Sequence, residues 1–339
     1  MNLQRIRRSI AIAAAPILIV AGLAACSSAE PEAPAGQEDQ TSEVTIRLGW
    51  LKSTADLAAY VAEDHAPEGV TIESSLFTTA VDVQTALVTG QIDVGMLTPV
   101  HLLRAVENGD DLIQISGNTR GNSGVMLSSE LGLDPEDWDG LKSILEDRKL
   151  KIAASRGSIN EALGILEFAE HGIDVNEDVE LINITNFAQH AEGIRLGEFD
   201  GAFTMETFAS IMAADGTATF FSKPYNSPAG DINTIFVANK SWVEANPEAA
   251  QGFVQTIFNA SEVLAGDPEH EIEVGMELMG LERDVIEAAL SNNRYEISVG
   301  LEETRALADV QAELGILSRD LTSEIDPFVT DEFVNGLQR

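Results

Sequence analysis

The 339-residue sequence predicts an α/β protein of two related lobes followed by a helical C-terminal region. Three observations carry that reading. Strand-like segments alternate with helix-like ones of about ten residues between residues 44 and 238, the pattern of parallel βα layers. Gly90-Gln-Ile-Asp93-Val-Gly-Met-Leu97 is echoed by Gly197-Glu-Phe-Asp200-Gly-Ala-Phe-Thr204. In each, a glycine is placed to stop a helix and an aspartate to open a strand beneath a cleft, although any αβ junction favours these residues. From Pro247 onward the apolar spacing turns helical. The length suggests two domains, and 44% hydrophobic residues suffice for their cores.

The first 25 residues read as a segment removed before folding. Arg5, Arg7 and Arg8 precede an apolar run from Ile10 to Gly22, which ends in Leu23-Ala24-Ala25-Cys26. The run is shorter than the roughly 20 residues a membrane-spanning helix needs. A basic start, a short apolar stretch and small residues before the cut fit an export signal, and Cys26 fits the lipid-carrying first residue of a mature lipoprotein. It is the only cysteine, which excludes an intramolecular disulfide and a thiolate metal site. Residues 26–43, rich in Pro, Ala, Gly and polar side chains, read as a flexible tether.

In the body, Val44–Gly49 alternates as a strand, and Ala55–Glu63 has helical spacing with Ser53 or Thr54 as cap. Val70–Leu76, Asp93–Thr98 and Leu112–Ser116 are strand candidates. A helix over Val81–Val88 ends near Gly90, and Thr98-Pro99 opens another as N-cap and first residue. The scheme recurs with strands Lys151–Ser155, Val179–Ile184 and Gly201–Thr204 and helices Ile159–Glu170, Ala188–Leu196 and Thr207–Ala214. Ile232–Ala238 reads as a returning strand. Helices follow over Pro247–Leu264, Ile272–Met279, Val285–Leu290 and Leu301–Leu314.

Five segments, in this order and spacing, resemble the nitrate/sulfonate/taurine-type substrate-binding proteins of ABC importers. They are Ile46–Gly49, Ala86–Gly95, Lys151–Ser158, Leu196–Ala202 and Phe236–Phe253. The resemblance implies a periplasmic-binding-protein type II-like fold in which two crossing strands join the lobes. On that pattern residues 44–124 plus 226–339 form lobe 1 and residues 125–225 form lobe 2. The family usually has Glu-Pro where this chain has Glu206-Thr207.

Ligands of α/β sheets gather at the carboxyl ends of the strands, which points to four loops. Trp50-Leu-Lys52 follows the first strand and offers an apolar wall and a charge. Thr98 offers a hydroxyl. Arg156, Gly157 and Ser158 sit where a helix N-terminus presents backbone N–H groups to an anion. Glu206 follows the later strand. The polar run Asn118–Gly124 reads equally as a cleft wall, with Arg120 as counter-charge, or as an exposed turn. The alternative role for Arg156–Ser158 is a simple helix cap beside a solvated arginine.

With 56 acidic against 20 basic residues the net charge is −36, and loss of the signal makes it about −39. Nucleic-acid binding, which needs a basic footprint, is excluded. No phosphate-binding loop, zinc-protease or serine-hydrolase motif is present. The five histidines, at positions 65, 101, 171, 190 and 270, read as surface or capping residues outside metal spacing. The expected protein is therefore not an enzyme and needs no cofactor. It is a monomeric, lipid-anchored, extracytoplasmic binder that captures a small solute, sulfonate- or nitrate-like in charge. An ABC permease with a separate ATPase subunit would receive it. A neutral heterocycle such as a vitamin precursor is the other ligand class. The rival roles are a sensor and a lipid-anchored enzyme, for which His190 with Glu206 is the best acid–base pair.

Overall fold

Two mixed sheets organise the computed structural model, which describes residues 43–338. The signal, Cys26 and tether readings fall on residues outside those described. The strands are β1 (Val44–Leu51), β2 (Val70–Phe77), β3 (Val94–Leu97), β4 (Leu112–Gly121), β5 (Ser123–Ser128), β6 (Leu150–Ala154), β7 (Val179–Asn183), β8 (Gly201–Met205), β9 (Ala218–Ser222), β10 (Ile232–Asn239) and β11 (Asn293–Tyr295). The first sheet runs β11-β4-β10-β3-β1-β2 and the second β7-β6-β8-β5-β9.

The two sheets share one plan. In each, three parallel strands take the order second-first-third, β2-β1-β3 and β7-β6-β8. An antiparallel strand then joins the third, β10 in one sheet and β5 in the other. The chain leaves the first sheet from β4 through Asn122 into β5, and returns from β9 into β10.

The sequence echo proves to be a structural one, although its aspartates lie at the strand starts, away from the facing strand ends. Asp93 accepts the backbone N–H of Arg47 at 2.9 Å and pairs with its guanidinium. Asp200 accepts the backbone N–H of Lys151 at 2.8 Å and pairs with Arg148 at 2.7 Å. Each carboxylate thus fastens the third parallel strand to the first. Burial opposes ionisation of Asp200, but Arg148 and the Lys151 N–H outweigh it and hold the carboxyl below the usual range.

Alternation along the strands divides the core. On β10, Ile235 and Val237 face one apolar cluster while Phe236 and Ala238 face another, so both sides of the first sheet are covered. The second sheet is likewise covered on both sides. Helix Ile159–Glu170 belongs to the second lobe by chain order, yet Ile159, Ala162 and Leu163 pack into the first lobe's cluster with Leu307 and Ala308. Its Phe168 faces the other way, edge-on to Phe203 at 5.1 Å. Burying each such large apolar side chain contributes roughly 1.5–3 kcal/mol, so this helix also binds the lobes together.

Several elements depart from expectation. The helix expected over Ala55–Glu63 is broken into a 3-10 turn Thr54–Asp56, a helix Leu57–Tyr60 and a 3-10 turn Ala62–His65. Ser53 does not cap it, because its hydroxyl donates to Asp56 Oδ2 at 3.0 Å. Asn118–Gly124 is not an exposed turn. It completes β4 and begins β5, with every residue buried. Helix Trp138–Asp147 and strands β9 and β11 are additions that no expected element covers.

Candidate functional site

Strand direction brings the expected loops together. β1, β3 and β4 run parallel to one another, so their carboxyl ends share the edge where β4 passes into β5. Ser123 at the start of β5 pairs with Met205 at the end of β8, which places the carboxyl ends of β6 and β8 against that edge from the other side. The loops bearing Lys52, Thr98, Arg156–Ser158 and Glu206 therefore face one another across the junction of the lobes.

The junction is polar and closely bonded. Ser123 Oγ donates to Asn160 Oδ1 at 2.7 Å and accepts from Asn233 Nδ2 at 3.3 Å. The Tyr225 hydroxyl accepts from the Ser123 N–H at 3.0 Å, and it lies 2.9 Å from Ser123 O and 3.0 Å from Asn292 Oδ1 as donor. Asn292 Nδ2 then reaches Ser123 O at 3.1 Å and Glu206 Oε1 at 3.2 Å. Asn292 precedes β11 of the first sheet, and Glu206 follows β8 of the second. Their bond ties lobe to lobe.

The residues expected from sequence divide into two groups. Lys52 and Arg156 are exposed, and Thr98 and Ser158 are half-buried, so solvent reaches all four. Trp50, Arg120 and Glu206 are not solvent-facing, for three separate reasons. Trp50, 6% exposed, lies on the β1 face that enters the core and packs on Tyr60 at 5.7 Å between ring centroids. Arg120 is committed to Glu303 at 2.9 Å and Asp231 at 3.4 Å, which neutralises it as a counter-charge. The Glu206 carboxylate accepts from Ser210 N and Oγ as well as from Asn292. Burial nevertheless leaves its pKa above the usual carboxylate range. The Glu206–Thr207 peptide, where the family pattern has Glu-Pro, is cis.

The loop that leads from Arg156 into helix Ile159–Glu170 is already supplied with acceptors. Arg156 N donates to Asn183 Oδ1 at 3.1 Å, Gly157 N to Glu161 Oε2 at 2.5 Å, and Ser158 N to Ser155 O at 2.9 Å. Ser158 Oγ caps Glu161 N at 3.2 Å. Ser158 and Glu161 have the Ser-x-x-Glu spacing of a capping box, but the Glu161 carboxylate reaches the Gly157 N–H and not that of the Ser158 cap. Arg156 itself points outward, 4.0 Å from Glu161.

His190 and Glu206 form no acid–base pair, because His190 is fully buried with Nε2 against Ile184 O at 3.0 Å. His190 is thus a core residue, against the surface role expected of it. His101 is half-buried, with Nδ1 at 2.8 Å from Thr98 Oγ1. Burial and the neighbouring Arg104 charge push it down to about 4, so it is neutral at pH 7. Among the described residues there is no His, Cys, Asp and Glu cluster fit for a metal, and no helix long and apolar enough to cross a membrane. A groove of about 380 Å³ between Ile165–Asn176 and helix Leu301–Glu313 contains none of the expected site residues.

Sequence reasoning missed Tyr225, Asn292, Asn160 and Arg104. The first three are ordinary polar residues that gain meaning only from distant partners. Arg104 did carry a signal, as one long cation in the apolar run Val100-His-Leu-Leu-Arg-Ala-Val106.

Two covered sheets of one plan, joined by a double crossing with facing strand ends, define the periplasmic-binding-protein class of fold. Solved structures of that class superpose on most of the chain. The periplasmic nitrate-binding protein NrtA of Synechocystis PCC 6803 matches with a TM-score of 0.74 at 15% identity, over 86% of this chain and 87% of that one. The periplasmic aliphatic sulphonate binding protein SsuA of Escherichia coli matches at 0.68 and 16%, over 81% and 89%. In sequence, the YtlA protein of Bacillus subtilis strain 168 is 22% identical over 247 residues, 70% of this chain and 72% of YtlA. The NMT1-like family model matches residues 39–276, and the chain belongs to that family.

Proposed function

We propose that the protein is an extracytoplasmic solute-binding lipoprotein that captures a small oxyanion between its lobes and delivers it to an ABC-type permease. The observation that carries the reading is the polar junction itself. Buried Ser123, Asn160, Asn233 and Asn292 and half-buried Tyr225 meet where the strand ends of two lobes face each other. Such a seam suits an opening and closing cleft rather than a fixed core. The nitrate and sulphonate binding named in the relatives' titles supports the anionic class. Binding without chemistry accords with the separate commitments of His190 and Glu206.

Within this reading Lys52, Thr98, Arg156 and Ser158 line the mouth, Trp50 and Gly157 back it, and Arg120 and Glu206 hold the seam. Lipid on Cys26 and the tether over residues 26–43 keep the body, as a monomer, near the permease. The test is a thermal-shift screen of the exported protein against nitrate, alkanesulfonates, carboxylates and neutral heterocycles. An anion at 100 times its Kd should add about 2.7 kcal/mol of stability. A shift with a heterocycle and none with any anion overturns the oxyanion assignment.

A further inference from the structure

The strongest unassigned feature of the cleft is Arg104. It lies on helix Pro99–Asn108, which starts at the carboxyl end of β3. Helical side chains lean back toward the N-terminus, and this one reaches across the junction to the second lobe. A Cβ built on Gly157 would lie 1.5 Å from Arg104 Nη2 and 2.6 Å from Cζ. The guanidinium therefore lies against the Gly157 backbone, in space that any other residue's side chain would claim.

Arg104 is also exceptional in its charge. The other nine arginines whose side chains are described each have a carboxylate within 4.0 Å. The six lysines make no such pair, but all except Lys240 are exposed. Arg104 makes no ion pair or hydrogen bond among the described residues, although it is half-buried. His101 is neutral, and the Glu161 carboxylate, bonded to the Gly157 N–H, forms its ion pair with Arg156 instead. Five N–H donors in a rigid fork are thus held at the lobe junction without an acceptor.

We infer that Arg104 is the side chain that recognises the solute, binding an oxyanion group through its guanidinium fork, and that Gly157, a glycine already favoured by its φ of 70°, leaves the space the guanidinium occupies. The inference rests on the solute-binding reading and deepens it, because it moves recognition from the exposed Arg156 to a cation of the opposite lobe. Planar or tetrahedral oxyanions such as nitrate and sulfonate match the fork, whereas a halide cannot engage two N–H groups in the same way.

The experiment titrates the full protein by calorimetry with sodium nitrate, methanesulfonate and chloride. Wild type should bind at least one of the two oxyanions in preference to chloride. Arg104→Gln should weaken that binding about 100-fold, and Arg104→Lys should recover only part of it. Arg148→Gln, remote from the junction, should bind as wild type. Binding should also raise the His101 pKa, followed by NMR, as the anion offsets the Arg104 charge. Unchanged oxyanion affinity in Arg104→Gln overturns the inference while leaving solute binding intact. Failure of wild type to bind either oxyanion overturns the anionic reading as well.

Discussion

Replacing Asp56 with asparagine should stabilise the protein at alkaline pH and leave it unchanged under mild acid. Asp56 is fully buried beside the end of β1. Its Oδ2 accepts from Ser53 Oγ, Oδ1 has no partner, and no cation among the described residues pairs with it. Burial holds its pKa well above the ordinary 3.8. The folded state therefore keeps a proton that the unfolded chain releases at lower pH. That contribution is fully present below the unfolded pKa and is lost as pH rises through the folded one. Asparagine keeps the shape and has no proton to lose. A buried polar group without its partner costs about 1–3 kcal/mol, so the variant should gain up to that amount at pH 8. For a folded body of this size this is a Tm rise of roughly 2–5 °C. At pH 4 the two proteins should melt together. Tyr295 and Glu271 lie close by, and burial raises the pKa of both. Both proteins carry them, so the difference between the melting curves isolates Asp56. Scanning calorimetry from pH 4 to 8 is the assay. A wild type more stable than the variant at pH 8 refutes the reasoning, for it would mean an ionised, well-partnered carboxylate.

Three further outcomes follow from the charges and bonds described. Asn292→Ala removes the donor to Ser123 O and Glu206 and the acceptor of Tyr225; it should cost about 2 kcal/mol in urea unfolding, and a loss near zero would mean that solvent replaces the tie. Because the net charge is −36, Tm should rise from low to molar sodium chloride as screening shortens the repulsion below a Debye length of about 10 Å at 0.1 M; a flat curve would show the acids locally compensated. Cys26→Ser should move the protein from the membrane fraction to the soluble one with an unchanged melting curve, and retention in the membrane fraction would sink the lipid anchor.

The strands and most helices were legible because they depend on neighbours in sequence. Helix Ile159–Glu170 has the bounds that its spacing and the Ser158 cap predict, and Thr98-Pro99 opens helix Pro99–Asn108 as expected. The broken helix after β1 was not legible. Asn118 Nδ2 holds Ala55 O at 3.0 Å and Asn293 Nδ2 holds Thr54 O at 3.2 Å. Those side chains come from β4 and β11 and override the local helical spacing. The polar junction was hidden for the same reason, since Ser123 is bonded to residues 37 and 169 positions away.

The charges of the site show where such reading ends. Arg104, Arg120 and Arg156 are one residue type, each near a strand end, and sequence alone ranks them by local setting. On that basis Arg156, beside a glycine and a helix start, ranks above Arg104, which sits within an apolar helix. The fold reverses the order. Arg120 is spent on Asp231 and Glu303, Arg156 faces solvent beside Glu161, and Arg104 is delivered unpaired to the opposite lobe. Among the described arginines pairing is the rule and carries little information. The informative arginine is the one that the fold half-buries without an ion pair. That property belongs to the packing of two lobes, and no window of sequence contains it.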